Sequence, residues 1–273
     1  MQQASGSSLS SPLVAWWPGL RVQFRVIGAL LLREVLTRYG RHNIGFLWLL
    51  VEPMLFTGLI AWAYSSARAA GVQTVIPIAA FAVTGYSCVM LWRNMPARCM
   101  GAVTPNRALL FHRPVKLLDV YFARIILEAT GATMSFVALA LLGIALGWMP
   151  WPQDLLAVCL AWMLLAWFGL SLGLLLGPLS ERSKWVEKIW APLSYLLFPL
   201  SGTFYLVSSL PPQAQEFVLL LPMVHAVEML REGYFGHLFA ARYSVVYLVS
   251  WNMALMLLGL SQVRLVARTG VRL

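Results

Sequence analysis

The amino-acid sequence predicts an all-α membrane protein with six transmembrane helices, for three reasons. Of the 273 residues, 60% are hydrophobic and 11% are charged, and the mean hydropathy of +0.75 is far above that of a water-soluble domain. Several apolar stretches approach the roughly 20 residues that a helix needs to cross a bilayer core of about 30 Å. Most Lys and Arg residues lie on one side of these stretches. A soluble enzyme is therefore excluded, and the net charge of +10 concerns the membrane faces rather than nucleic acid.

The N-terminal part is predicted to stay in the cytoplasm. Residues 1–19 contain Ser and Gly but no Lys or Arg, so they lack the basic region of a cleavable signal, and we expect a disordered tail. In residues 20–42, apolar side chains recur at steps of three and four between arginines. This pattern predicts a basic amphipathic helix that lies in the membrane interface.

The remaining residues, 43–273, form the predicted transmembrane domain. Its six predicted spans are Ile44–Ser65, Val75–Trp92, Val120–Leu146, Leu155–Leu176, Ile189–Leu206 and Val245–Leu265. With both termini in the cytoplasm, only Arg68, Arg231 and Arg242 of the 20 Lys and Arg residues fall outside the cytoplasmic segments. Because basic loops resist translocation, this bias predicts that both termini are cytoplasmic.

The connection between the fifth and sixth spans, Tyr205–Tyr243, is too apolar for a solvated loop. Pro211 and Pro212 indicate a helix start, and Pro222 separates two apolar runs. Each run of about ten residues would be about 15 Å long, half the membrane thickness. We therefore predict a pair of re-entrant half-helices that enter from the outer face. Amphipathic helices lying flat on the outer surface are the alternative.

Three glycines recur at four-residue steps in the fourth predicted span: Gly169, Gly173 and Gly177. This spacing places them on one face of the helix, where the absence of side chains lets another backbone approach closely. We predict a packing ridge, either within the subunit or across a dimer.

Few charged residues fall within the predicted spans. Arg124 and Glu128 are one helical turn apart, a spacing at which they can neutralise each other. Glu52 lies about 12 Å into the first span. A charge near the bilayer centre is costly, so we expect Glu52 to face protein, water or a basic partner. Alternatively, Glu52 marks a helix start near the interface because Pro53 follows it.

The sequence lacks the motifs of enzymes and of metal sites. It contains no P-loop, no HExxH pair and no EF-hand loop, and its four histidines and three cysteines are dispersed. We predict no catalytic residue, metal ligand or cofactor on this chain, so the energy for any work must come from another subunit. An intramembrane transferase would need a cluster of acidic residues that the sequence does not supply, and a passive channel would need no ATPase.

Two blocks of sequence carry a resemblance to a known family. The first block comprises Arg33 to Arg41, Ile44 to Trp48 and Glu52 to Met54. The second comprises Ser201 to Tyr205, Ser208 to Pro211, Pro222, His225 and Glu228 to Phe235. Together they resemble the ABC-2 type permeases that export polysaccharides, and the capsular-polysaccharide branch most closely. The resemblance covers nearly the whole chain from about Leu20.

The resemblance implies a homodimeric, multi-pass permease in the inner membrane of a Gram-negative cell. It would work with two separate ABC ATPase subunits, which bind ATP and Mg, and with periplasmic and outer-membrane export components. The cargo would be a lipid-linked capsular polysaccharide. O-antigen, teichoic acid or another lipid-linked cargo would use the same architecture and is the alternative.

The resemblance also implies a site for the ATPase. In this family the loop between the second and third spans carries a coupling helix, here within Arg98–Val115. The expected contacts are Asn106, Arg107, Leu109, Leu110, Phe111, His112 and Arg113. Apolar anchors mixed with Arg are typical of protein interfaces. A basic loop that binds anionic lipids is the alternative.

Three further groups of residues are candidates for cargo binding. Arginine forks suit lipid phosphates and sugar carboxylates, and the candidates on the cytoplasmic side are Arg33, Arg38, Arg41 and Glu52. Aromatic rings can stack on sugars, and the candidate channel-lining residues are Tyr64, Tyr195, Phe204 and Tyr205. The candidates in the re-entrant region are Pro211, Pro222, His225, Glu228, Arg231 and Glu232.

Overall fold

A computed structural model describes residues 12–39, 51, 54–55, 58–59, 62, 76–110, 115–238 and 240–269, with the backbone alone at 12–18, 38–39 and 237. All regular secondary structure in these ranges is helical, which confirms the all-α class. The helices are α1 (Pro12–Tyr39), α2 (Ile78–Cys99), α3 (Arg107–Leu110), α4 (Leu117–Ala145), α5 (Leu155–Arg182), α6 (Trp185–Leu200), α7 (Pro212–Val218), α8 (Pro222–Phe235) and α9 (Val245–Thr269).

Among the described residues, α4, α5 and α9 are long and apolar enough to cross a membrane. They correspond to the third, fourth and sixth predicted spans. The second and fifth predicted spans correspond to α2 and α6, and α2 continues seven residues beyond the predicted end at Trp92, to Cys99. The first predicted span, Ile44–Ser65, lies outside the described residues except for isolated helical positions between 51 and 62.

The N-terminal helix is longer than the sequence indicated. α1 begins at Pro12 rather than at residue 20, so residues 12–19 belong to the helix and not to the expected tail. Proline suits this position because its fixed φ angle matches the first turn of a helix, where its missing N–H group needs no partner. Helix α1 therefore spans 28 residues.

Helix α5 lies at the centre of the bundle, and its glycines explain how closely the other helices approach it. A Cβ atom at Gly169 would lie 3.1 Å from the Cα atom of Trp92 in α2. At Gly177 it would lie 2.8 Å from Cε1 of Tyr121 in α4. The ridge, which includes Gly173, therefore packs within the subunit, against α2 and α4.

The last helix, α9, packs against another side of α5. A Cβ atom at Gly259 would lie 3.0 Å from the backbone carbon of Leu174. The buried Asn252 donates through Nδ2 to the Leu164 carbonyl at 3.0 Å, and Oγ of Ser171 donates to the Asn252 carbonyl at 3.3 Å. Close backbone contact and buried polar bonds both favour helix association within a membrane.

Substitution of Gly177 by Ala is expected to lower the free energy of unfolding by about 1–3 kcal/mol, because the added methyl group overpacks the contact with Tyr121. Gly28→Ala in α1 is the matched control, since no atom lies within 4 Å of the added Cβ. The control should be neutral or slightly stabilising because Ala favours helices over Gly. Thermal unfolding of both purified variants measures the difference. Equal midpoints would contradict the packing role of the ridge.

Candidate functional site

Residues 98–110 comprise the last two residues of α2 and the turn and short helix α3 that follow; we call them the coupling segment, after the role that the sequence predicts for this region. Its Asn106 is buried, with 2% of its surface exposed, and its Nδ2 donates to the Ala102 carbonyl at 2.8 Å. Arg33 of α1 donates to Oδ1 of Asn106 and, at 3.2 Å, to the Pro105 carbonyl. Helix α1 is therefore bonded directly to the coupling segment.

Two more helices hold the same segment. Near the C-terminal end of α5, Oε1 of Glu181 accepts from the Val103 N–H at 3.1 Å, and Oγ of Ser180 accepts from the Gly101 N–H at 3.3 Å. In α4, Nη1 of Arg124 donates to the Arg98 carbonyl at 2.8 Å. Side chains of α1, α4 and α5 thus hold the coupling segment through hydrogen bonds, most of them to its backbone.

Ion pairs between helices reinforce this connection. Nε of Arg124 in α4 lies 2.9 Å from Oε1 of Glu34 in α1. Oε1 of Glu128 in α4 lies 3.2 Å from Nε of Arg98 near the end of α2. The expected pairing of Arg124 with Glu128 inside α4 was wrong. The neighbouring helix ends bring opposite charges to both side chains, so each pairs across a helix boundary.

The described coupling candidates face in different directions. Asn106 points inward, Arg107 is exposed, and Leu109 and Leu110 are half-buried against the apolar core. The remaining candidates, Phe111, His112 and Arg113, lie outside the described residues.

The cytoplasmic cargo candidates are described only in part. The Arg33 guanidinium bonds with the coupling segment, as given above, and the position of Arg38 is described for the backbone alone. The candidates Arg41, Glu52 and Tyr64 lie outside the described residues.

The outer part of the molecule is organised by Arg231 of α8. This side chain is fully buried and donates to the carbonyls of Gly202, Thr203 and Tyr205, the last two at 2.8 Å. Its guanidinium carbon lies 3.8 Å from the ring centroid of Phe81 in α2. Arg231 therefore binds the turn after α6 to both α8 and α2.

Glu228, one turn before Arg231, bonds to two other chain segments. Its carboxylate oxygens accept from the Val207 N–H at 3.1 Å and from the Arg242 N–H at 3.2 Å. The carboxylate thus satisfies backbone donors from the segments on either side of α7 and α8.

The contacts of His225 fix its tautomer. Nδ1 accepts from the Ser244 N–H at 2.9 Å, so Nε2 carries the proton and donates to the Leu219 carbonyl at 2.8 Å. Glu232 accepts from the Tyr243 hydroxyl, and this bond raises the pKa of Tyr243 to about 12.

Prolines begin the two short helices of this region. Pro212 begins α7 directly after Pro211, and Pro222 begins α8. The prediction of two short helices separated at Pro222 is confirmed. We call His225, Glu228, Arg231 and Glu232, together with the backbone groups that they bind, the outer network.

A row of aromatic side chains lies where α2 meets α6, and we call it the aromatic face. The ring centroids of Trp92 and Trp190 are 6.5 Å apart, and those of Tyr86 and Phe198 are 5.8 Å apart. Phe204 continues the row at 5.0 Å from Phe198. The rings therefore follow the two helices over much of their length.

The described channel-lining candidates differ in exposure. Tyr195 is 64% exposed and Phe204 is 39% exposed. The Tyr205 hydroxyl turns back to donate to the Leu200 carbonyl at 2.6 Å. Tyr195 and Phe204 are therefore the accessible rings of this group, and both adjoin the aromatic face.

Sequence reasoning missed Arg93 as a site residue. The predicted second span ended at Trp92, so Arg93 was counted only as a cytoplasmic loop charge, whereas α2 continues to Cys99. Its guanidinium carbon lies 4.1 Å from the ring centroid of Tyr195, and its Nε donates to Oγ of Ser194 at 3.3 Å. The absence of Gly and Pro from residues 93–95, which lets the helix continue past Trp92, was the available signal.

Comparisons with known proteins agree with this architecture. Residues 25–235 match the family model of the ABC-2 type transporter. The chain is 45% identical over 249 residues to the capsule polysaccharide export inner-membrane protein CtrC of Neisseria meningitidis serogroup B, covering 91% of this chain and 94% of that protein. It is 43% identical to the capsule polysaccharide export inner-membrane protein BexB of Haemophilus influenzae, with coverages of 90% and 92%.

A more distant relative extends the comparison. The chain is 27% identical to the polysialic acid transport protein KpsM of Escherichia coli, covering 90% of this chain and 95% of that protein. The family match spans more than half of the chain, and the relatives above 40% identity are covered almost completely. The chain therefore belongs to the ABC-2 type transporter family.

Proposed function

We propose that this chain is the permease subunit of an ABC exporter that moves lipid-linked capsular polysaccharide across a bacterial inner membrane. The relatives above 40% identity are named for capsule polysaccharide export and for the inner membrane. The observation that carries the proposal is the coupling segment, which bonds to α1, α4 and α5. ATP hydrolysis belongs to a separate subunit of such a transporter.

The partners are two ABC ATPase subunits, which hold the ATP and Mg. They dock on the exposed side of the coupling segment through Arg107 and through Leu109, Leu110, Phe111, His112 and Arg113. Asn106 is buried beneath that side, so its role is to pass the motion of the ATPase to Arg33 in α1. Different residues therefore bind the ATPase and pass its motion to α1.

The membrane topology has six spans with both termini in the cytoplasm. The apolar length of α4, α5 and α9 supports three of these spans. The basic residues of the coupling segment and of the C-terminal end of α9 then lie on the same side. In this arrangement the ends of α1, α2 and α5 that hold the coupling segment face the cytoplasm.

Helices α7 and α8 are the re-entrant pair in this arrangement. Non-helical backbone is tolerated at membrane depth only where its polar groups have partners. Here the carbonyls of Gly202, Thr203 and Tyr205 accept from Arg231, and the carbonyl of Leu219 pairs with His225. The outer network supplies the partners that such a pair requires.

The working unit is a homodimer with the cargo path between the two copies. On α6 the side chains of Trp185, Ile189, Tyr195 and Leu196 are exposed, and Trp190 and Ser194 are its buried residues. A second copy that packs on this face would shelter part of it from lipid. Six helices in one subunit would enclose a sugar-wide path only with difficulty, whereas two bundles leave one between them.

The cargo enters past charged residues and then moves along aromatic ones. Arg33, Arg38, Arg41 and Glu52 are assigned to the cytoplasmic entrance. Tyr64, Tyr195, Phe204 and Tyr205 are assigned to the path, where flat rings can stack on sugars and let a polymer slide. Periplasmic and outer-membrane components receive the polymer.

Docking and transmission can be separated by mutation. Arg107→Glu combined with Phe111→Ala and Arg113→Ala should abolish both copurification of the ATPase and polymer export. Asn106→Ala should leave copurification intact but reduce export by at least about fivefold, the lower end of typical coupling effects. A tagged permease and an assay for surface polysaccharide measure both effects. Unchanged copurification and export in the triple variant would contradict the proposal.

Removal of the Arg231 side chain should destabilise the outer part of the molecule. Arg231→Met leaves three buried carbonyls without their charged donor, at a cost of about 3 kcal/mol or more. Arg264→Met, at an exposed position of α9, is the matched control and should change stability by less than about 0.5 kcal/mol. Thermal unfolding of the purified permease measures both. A midpoint for Arg231→Met equal to that of the control would contradict the role of Arg231.

Crosslinking tests the dimer. In a Cys159→Ser background, Leu196→Cys should give a crosslinked dimer with a short bifunctional thiol reagent, because Leu196 is 63% exposed on α6. The unmodified chain is the control, since its Cys159 is exposed on α5 and not on α6. A dimer that forms through Cys159 and not through Leu196→Cys would place the interface elsewhere.

A further inference from the structure

Arg93 is a charged side chain within the depth of the membrane, if the topology proposed above holds. It precedes the end of α2 by six residues, about 9 Å along the helix. The residue it reaches, Ser194, lies nine residues into α6, about 14 Å from that helix's start. Arg93 therefore contacts α6 well inside that helix and not at the end of either helix.

The surroundings of Arg93 leave most of its hydrogen-bonding capacity unused. Nε donates to Oγ of Ser194 at 3.3 Å, and the guanidinium stacks on Tyr195 with 4.1 Å between its carbon and the ring centroid. Among the described residues, no carboxylate forms an ion pair with it, and its two Nη atoms donate no hydrogen bond. An ionisable residue at such a position is rare and commonly belongs to a substrate path.

The geometry selects the kind of group that would complete the site. Ser194 and Tyr195 fix the plane of the guanidinium, so the two Nη atoms present a preorganised fork that matches a carboxylate or phosphate. Tyr195 is 64% exposed, so the site is open at the surface of α6 and is not closed within the helical core. A ring beside a cationic fork suits an acidic sugar residue, whose ring can stack and whose acid can bind.

We propose that Arg93 and Tyr195 form a binding site for the acidic sugar residues of the polymer during its passage. This assignment rests on the proposed export function and deepens it, because it makes acidic glycans the preferred cargo. Ser194 is a positioning residue that holds Nε of Arg93. Successive acidic sugar residues of the polymer can replace one another at this guanidinium, so none of them stays bound during passage.

The experiment compares two polymers in cells that lack their own capsule permease. One strain makes polysialic acid, and a matched strain makes a neutral capsular polymer, each with the cognate ATPase of this permease. Arg93→Gln should reduce export of polysialic acid about tenfold or more, the effect of losing one charge-assisted contact. Export of the neutral polymer should stay within about twofold, as for a change without a structural role.

Two further variants separate charge from fold. Arg93→Lys retains the charge without the fork and should export polysialic acid at a level between those of Arg93→Gln and the unmodified chain. Arg264→Gln removes one exposed positive charge on α9 and should leave export of both polymers unchanged. Permease abundance in the membrane and copurification of the ATPase are measured for every variant.

Each outcome decides the assignment. Selective loss of the acidic polymer supports it. Equal loss of both polymers overturns it, because Arg93 would then act on the fold or on a phosphate that both cargoes carry in their lipid. Export of polysialic acid by Arg93→Gln within about twofold of the unmodified chain also overturns it. If the unmodified chain exports neither polymer, the proposed function itself is wrong, which distinguishes that failure from the failure of the Arg93 site.

Discussion

The close approach of α2 and α4 to the glycine ridge of α5 is the packing constraint on which the rest of the molecule depends. Gly169 and Gly177 leave no room for a Cβ atom beside Trp92 and Tyr121. Cys99, the last residue of α2, lies against Gly173 and Gly177, so the ridge holds the end of α2 that enters the coupling segment. At the same end of α5, Ser180 and Glu181 bind the backbone of that segment.

The other end of α5 holds the outer helices in a similar way. The Asp154 N–H donates to the Gly233 carbonyl of α8 at 2.8 Å, and a Cβ atom at Gly233 would lie 2.9 Å from Cβ of Ala157. Gly85 of α2 faces the same region, where an added Cβ would lie 2.8 Å from the Thr203 carbonyl oxygen. Small residues thus let α5 and α2 support both the coupling segment and the outer network.

The sequence predicted the helices best where a single physical signal determines where a helix lies or ends. Apolar length predicted α4, α5 and α9, and Pro222 marked the boundary between α7 and α8. The polar pairs were less predictable because they depend on which helix ends converge. Spacing favoured a pair between Arg124 and Glu128, whereas both side chains pair with other helices. From sequence alone, a buried arginine such as Arg231 cannot be distinguished from a surface arginine. Its partners are backbone carbonyls, which every residue has.

Helix α2 is the element shared by the coupling segment and the aromatic face. Its C-terminal end runs directly into the coupling segment, and its Trp92 and Arg93 meet Trp190 and Tyr195 of α6. Against α5 this helix packs closely on glycines, where Met95, Cys99 and the backbone of Trp92 leave no room for a Cβ atom, and such close packing permits little sliding. Against α6, helix α2 packs through aromatic rings and through Arg93. These stacked contacts tolerate small rotations. A displacement of the coupling segment would therefore act first on the contact between α2 and α6, where the cargo path is proposed to run.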